Sequence, residues 1–155
     1  MKKVILIFVA AVVAVSASAG SKGEVFSKLS IGQYGINSIW PSGFSSVTGS
    51  VWVEIDNAGE AFTVSEIRGT VYRDGAPFVT GTAGDVRISK GKGKYTIDGQ
   101  ASLCSGVSLF SLLRLVSFDP KAYSVDMSVV VTFDGGRKET LSVEKLPVAA
   151  LLKLM

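Results

Sequence analysis

The sequence predicts an all-β fold, an antiparallel sandwich of about seven to eight strands with one short helix in a crossover. Three observations carry this expectation. Apolar and polar residues alternate with period two in SVWVEID and YSVDMSVVVTF, the pattern of strands with one buried face. Turn signals recur at close intervals, at Pro41-Ser42-Gly43, Asp74-Gly75 and Asp134-Gly135-Gly136. Helical spacing marks a single segment, SGVSLFSLLRLV. Many short strands between turn residues favour a sandwich.

The first residues stand apart from this pattern. Lys2 and Lys3 precede the apolar run Val4 to Val15, and Ala17-Ser18-Ala19 follows as an A-x-A site of small residues. That order predicts a secretory signal peptide over residues 1–19. The run is shorter than the roughly 20 residues of a membrane span, and no cysteine stands beside the cleavage site to accept a lipid anchor. The expected mature chain is a single domain over residues 20–155, located in the periplasm or outside the cell.

Within that domain, SKLSIGQYGINSIW is a first extended region whose internal Gly32 and Gly35 suggest bulges or close backbone approach. The next strand places Val47, Val51, Val53 and Ile55 on one face and Ser50, Trp52, Glu54 and Asp56 on the other. AFTVSEIRGTVYR continues after a corner, and its phase slips near Ser65-Glu66, the mark of a bulge. Asp74-Gly75 predicts a hairpin with APFVTGTAG returning. DVRIS is a short strand, KGKGK a turn, and YTIDGQASL a further strand.

Leu109, Leu112, Leu113 and Val116 then recur at helical spacing from Ser105 to Val116, stopped by Phe118-Asp119-Pro120. Tyr123, Val125, Met127, Val129, Val131 and Phe133 define the cleanest strand, and KETLSVEKL pairs back until Pro147.

Composition excludes much chemistry. There is no histidine and one cysteine, Cys104, among 155 residues. A Ser-His-Asp triad, a Cys-His pair, an imidazole base, a Cys/His zinc site and an intramolecular disulfide are all ruled out. The apolar setting of Cys104 predicts a buried thiol. Without Lys2 and Lys3 the 16 basic residues become 14 against 13 acidic ones. A surface so nearly balanced gives no case for nucleic acid. No cofactor, metal or small-molecule substrate is signalled, and the expectation is a protein that is not an enzyme.

Four groups merit a role. Ser142-Val143-Glu144-Lys145 fits S-x-x-K, but a strand cannot bring that lysine under the serine, and no S-D-N or K-T-G companion occurs. Glu54, Asp56 and Glu60, with Asn57, are carboxylates and an amide without the spacing of a calcium loop, and read as a solvated strand face and its corner. Lys90, Lys92 and Lys94 form a glycine-rich basic segment, a candidate contact for anions of the envelope, without the spacing of a phosphate loop. Trp52, opposite the Val51/Val53/Ile55 face, requires either cover from a neighbour or a place in a groove.

The run VEIDNAGEAF followed by VSEIRGTVYRDG, a crossover and a long alternating strand resembles the late embryogenesis abundant type 2 family, also called the WHy (water stress and hypersensitive response) domain. Asn57 stands at the family's asparagine, Val51, Val53 and Ile55 in the preceding strand, and Tyr72, Asp74 and Gly75 in the hairpin. Ala58 replaces the usual proline. The resemblance covers about Ser45 to Lys145. It implies a fibronectin type III-like sandwich with one helix, a structural corner at Asp56, Asn57 and Gly59, and a non-catalytic role in stress protection or in contact with membranes and proteins. The function so implied is that of a binding or protective module of the cell envelope. The alternative is an accessory subunit of an envelope assembly, held to a partner protein through a strand edge.

Overall fold

The computed structural model describes residues 29–104 and 119–152. Eight strands follow in order: β1 (Leu29–Pro41), β2 (Ser46–Asn57), β3 (Phe62–Arg73), β4 (Ala76–Ala83), β5 (Val86–Ile88), β6 (Gly91–Leu103), β7 (Tyr123–Phe133) and β8 (Lys138–Pro147). A 3-10 turn, Pro120–Ala122, precedes β7, and a five-residue helix, α1 (Val148–Leu152), follows β8. The fold is all-β and antiparallel, as the alternation predicts. The signal peptide over residues 1–19 and the crossover helix from Ser105 to Val116 lie outside the described residues.

Every ladder is antiparallel, and the strands hydrogen-bond in the order β1-β2-β6-β4-β3-β7-β8, with β5 also on β3. β4 explains how one path of pairing makes two layers. It pairs with β3 through Ile67↔Ala83 to Arg73↔Ala76, and with β6 through Val79↔Leu103 to Ala83↔Gly99. Beyond Ala83 the chain breaks at Gly84-Asp85 and resumes as β5, which stays with the start of β3 while β6 runs along β2. The sheet divides there into a layer of β1, β2 and β6 and a layer of β5, β3, β7 and β8.

The second layer holds the packed core. Tyr123, Val125, Met127, Val129, Val131 and Phe133 are all buried, the face that the period-two pattern assigns. They pack with Phe62, Val64, Ile67, Val71, Phe78, Val79, Ile88, Leu141 and Val148. Phe62 meets Phe133 at a centroid distance of 6.2 Å, and Phe78 meets Tyr123 edge-on at 5.9 Å, separations at which aromatic pairs attract beyond their buried area. Val47, Val51 and Val53 of β2 are buried as well, on the opposing layer.

Local signals fall where the sequence places them. The β3–β7 register shifts between Ser65 and Arg68, and Glu66 takes φ 49° to make that bulge. Asp74 and Gly75 turn β3 into β4 with φ 50° and 81°, two positive values in succession as a tight hairpin requires. β1 slips against β2 between Ile31 and Tyr34, at Gly32, whereas Gly35 stays in register opposite Trp52. Asp119 Oδ1 accepts from the Lys121 amide and caps the short 3-10 turn.

KGKGK is corrected by the structure. It is not a turn: from Gly91 onward it is the first part of β6, paired Asn57↔Gly91, Asp56↔Lys92, Ile55↔Gly93 and Glu54↔Lys94. Only Ser89 and Lys90 connect β5 to β6, and these two strands belong to different layers. The G-K-G-K run itself alternates, and the length of β2 draws it into the ladder.

Candidate functional site

The corner after β2 is built around one side chain. Asn57 is completely buried. Its Nδ2 donates to the Glu60 carbonyl at 2.9 Å and to the Ser89 carbonyl at 3.4 Å, and its Oδ1 accepts from the Gly59 amide at 2.9 Å. An asparagine that bonds a backbone amide two residues on closes its own turn. Here it also ties the β2–β3 corner to the β5–β6 connection, across 32 residues of sequence. Every polar atom of the amide points inward, so the corner holds two crossings together and presents nothing to a ligand. Asp56 and Glu60 point elsewhere, and Arg137 reaches Glu60 at 3.4 Å on the surface.

Of the three lysines, two lie within β6 and one in the connection before it. Lys92 and Lys94 lie exposed on β6, in register with Asp56 and Glu54 across the strand pair, where opposite charges attract. Lys94 Nζ stands 4.2 Å from the centre of the Trp52 ring, a cation–π geometry. On β1, Gly35 faces the same indole so closely that a Cβ there would sit 2.6 Å from Nε1. Trp52 is thus half-buried on the outer face, covered by a lysine and a bare backbone. Lys90 lies in the connection between β5 and β6. Tyr95 holds that connection in place: its hydroxyl accepts from the Ser89 amide at 2.9 Å, while its ring lies against Gly93.

Ser142 and Lys145 remain in β8 with Ser142 exposed, and Lys145 adopts φ 49° at a bulge where its amide donates to Asp126 Oδ1 at 2.6 Å. Tyr72 donates to the other oxygen of Asp126 at 2.9 Å, and this bond holds the phenol proton above its ordinary range. These contacts fasten β3, β7 and β8 on their outer face. The Arg87–Asp134 pair is bidentate, at 2.8 and 2.9 Å, and the guanidinium holds the Asp134 carboxyl below its ordinary pKa. Cys104 is half-buried, its amide bonded to the Phe78 carbonyl, a correction to the buried thiol expected from its apolar neighbours. Among the described residues no group of three or more Cys, Asp or Glu is placed to hold a metal ion.

Two features emerge that residue-by-residue reading of the strands passes over. The first is the β1–β2 hairpin. Between Lys28 and Glu54 the sequence has no charged residue, and the exposed large apolar side chains among the described residues are Ile31, Tyr34, Trp40 and Phe44, all in this hairpin. Phe44 is 95% exposed and Trp40 69%, at and beside the turn. The missing charge is the signal in the sequence that marks it.

The second feature is a partly open apolar cavity of about 140 Å³ between the layers, lined among the described residues by Leu29 and Ile31 of β1, by Val47, Gly49, Val51, Val53 and Ile55 along β2, and by residues of β3 to β7. It separates the buried valines of β2 from the packed core.

No protein-family model matches the chain, and no curated protein matches it. Solved structures similar to it include a protein from Archaeoglobus fulgidus, 12% identical with a TM-score of 0.43, covering 76% of this chain and all of that one. A β-glucuronidase of glycoside hydrolase family 2 is 13% identical with a TM-score of 0.35, covering 75% of this chain, which spans 12% of that enzyme. A Bacteroides uniformis β-glucuronidase is likewise 13% identical, with a TM-score of 0.30, covering 72% of this chain and 12% of the enzyme. Likenesses this slight assign no activity. No described helix is long and apolar enough to cross a membrane.

Proposed function

We propose that this chain is an exported, non-enzymatic β-sandwich protein of the cell envelope, a binding or stress-protective module resembling the late embryogenesis abundant type 2 proteins. One observation supports contact as its mode of action: the charge-free β1–β2 hairpin holds Trp40 and Phe44 out into solvent. Isolated apolar side chains on a surface are ordinary, but an aromatic pair at the end of an uncharged hairpin is the composition of a contact surface. Export is supported by the order of basic, apolar and small residues at positions 1–19.

The test is co-sedimentation of the mature chain with an envelope fraction, wild type beside a Trp40→Ser/Phe44→Ser double variant. Binding that the double variant loses while keeping its urea unfolding midpoint supports the proposal. Equal sedimentation of both proteins, or none of either, defeats it.

A second reading, an accessory subunit joined to a partner through a strand edge, is favoured by the position of β1. Among the described residues it pairs with β2 on one side alone and has no lysine or other charge to blunt it. Crosslinking that captures one stoichiometric partner, lost in a Gln33→Lys variant, distinguishes this reading from the first.

A further inference from the structure

We infer that β1 is the interface of a symmetric dimer, in which its free edge pairs antiparallel with β1 of a second copy about Gly35. This goes beyond both readings above, because the occupant of the edge is the chain itself.

Among the described residues, β1 and β8 are the terminal strands of the pairing path. β8 carries Lys138, Glu139, Glu144 and Lys145, and its ladder slips at Glu144-Lys145, where Lys145 takes φ 49°. Charges and bulges of this kind keep an exposed edge from pairing. β1 is 13 residues long and has no charge. Against its own copy such a strand opposes no like charges, and it offers main-chain groups that an added strand can pair with.

Exposure gives a second observation. Ile31 and Tyr34 stand opposite Ile55 and Val53, so their side chains belong to the inner face of the layer. Val53 is buried, yet Ile31 is 38% exposed and Tyr34 39%. Ile31 also lines the partly open cavity. A strand added beyond β1 sets apolar side chains beside both.

The residues of β1 complement themselves in one register. Pairing about Gly35 sets Tyr34 against Ile36, Gln33 against Asn37 and Ile31 against Ile39 of the second copy. Ile36 and Ile39 stand opposite Val51 and Gly49 of β2, so they share the inner face with Tyr34 and Ile31. Apolar side chains meet on that face, and amide meets amide. A slip of one residue would set Gln33 against Ile36 or Tyr34 against Asn37, mixing the two faces. The irregularities of β1 lie between Ile31 and Tyr34 and between Ile36 and Ser38. They flank Gly35, so the two-fold axis brings one bulged stretch onto the other and leaves Tyr34, Gly35 and Ile36 as a regular centre. Such a contact is isologous and closes at two copies. Its 13 residues a side are fewer than the roughly 20–30 of a standard interface, so the dissociation constant is expected on the order of micromolar.

The test is sedimentation velocity of the mature chain in reducing buffer, from about 1 to 200 μM. The expected result is a shift from monomer to dimer across that range. Gln33 and Asn37 are exposed, so charge can be placed there without disturbing the core. Gln33→Lys/Asn37→Lys opposes lysine to lysine twice across the axis and should weaken the dimer at least about tenfold. Gln33→Lys/Asn37→Glu adds as many charged side chains but opposes lysine to glutamate, and should keep the dimer within about threefold of wild type. Should either variant fail to fold, disulfide trapping between a Gln33→Cys/Cys104→Ser copy and an Asn37→Cys/Cys104→Ser copy decides instead. The inference is overturned if the wild type stays monomeric, if both charged variants dissociate alike, if both associate as wild type does, or if the cysteine pair is not trapped. A monomeric chain that captures one foreign partner on β1 overturns it in favour of the accessory subunit. The double-lysine variant keeps Trp40 and Phe44, so its co-sedimentation with the envelope fraction judges that contact apart from the dimer.

Discussion

The Trp52 indole of β2 occupies the space that a side chain on Gly35 of β1 would need, with Nε1 2.6 Å from where a Cβ would stand. Lys94 covers the ring at 4.2 Å, so Gly35→Ala must push the ring off its seat and away from the ammonium. The expected cost is about 1–3 kcal/mol. In a Trp40→Phe background, the fluorescence of Trp52 should shift to the red as it gains solvent. An unchanged spectrum and urea midpoint would show the ring to be free to move.

Asn57→Ala leaves the Gly59 amide and the Glu60 carbonyl without their partner at a fully buried position. A loss of about 1–3 kcal/mol is expected in denaturant unfolding. Asn57→Asp keeps an acceptor for Gly59 but turns an oxygen toward the carbonyls of Glu60 and Ser89, so it should destabilise more at neutral pH and recover in part when protonated. If the alanine variant is as stable as wild type, the amide does not hold the corner.

The Arg87–Asp134 pair predicts a pH dependence of definite sign. The Asp134 pKa is lowered on folding, first by the hydrogen bond from Arg87. Its contribution is therefore complete above the ordinary carboxylate pKa and is lost as pH falls through the lowered folded value. Both partners are 56% exposed, so the effect is small and screened by salt. The gap in urea midpoint between wild type and Asp134→Asn should close in acid. A gap that persists there would remove the pair from the pH profile.

Glu66 holds φ 49° at the β3 bulge, a left-handed conformation that asparagine adopts more readily than glutamate. Glu66→Asn should raise stability by about 0.5–1 kcal/mol, read from thermal or urea unfolding. A loss instead would mean that the glutamate side chain supports the bulge.

The strands were legible because one face of each is buried, and burial writes itself into the sequence as period two. Val125, Met127, Val129, Val131 and Phe133 needed no structure to be placed. The bulge at Ser65–Glu66 was legible as a slip of that phase. Pairing was not: KGKGK reads as a turn because glycine and lysine favour turns locally, and only the long partner β2 makes it a strand. Asn57 could be assigned to a corner, but its bond to Ser89 joins segments far apart in sequence. The cavity escaped for the same reason, since glycines on four strands become neighbours only through the ladders. Lys92 and Lys94, grouped as an anion contact by composition, are set against Asp56 and Glu54 by register.

β4 gives the molecule a seam. Among the described residues it is the strand whose pairing joins the layers, and its ladder to β6 extends only from Val79↔Leu103 to Ala83↔Gly99. The β2–β6 ladder runs the full length of β2, from Ser46↔Ser102 to Asn57↔Gly91. Opening along β4–β6 would release β1, β2 and β6 as a paired unit while the aromatic core around Phe62 and Phe133 stays packed. Amide exchange should then divide the chain at that line, with β6 amides bonded to β4 exchanging well before those of β7.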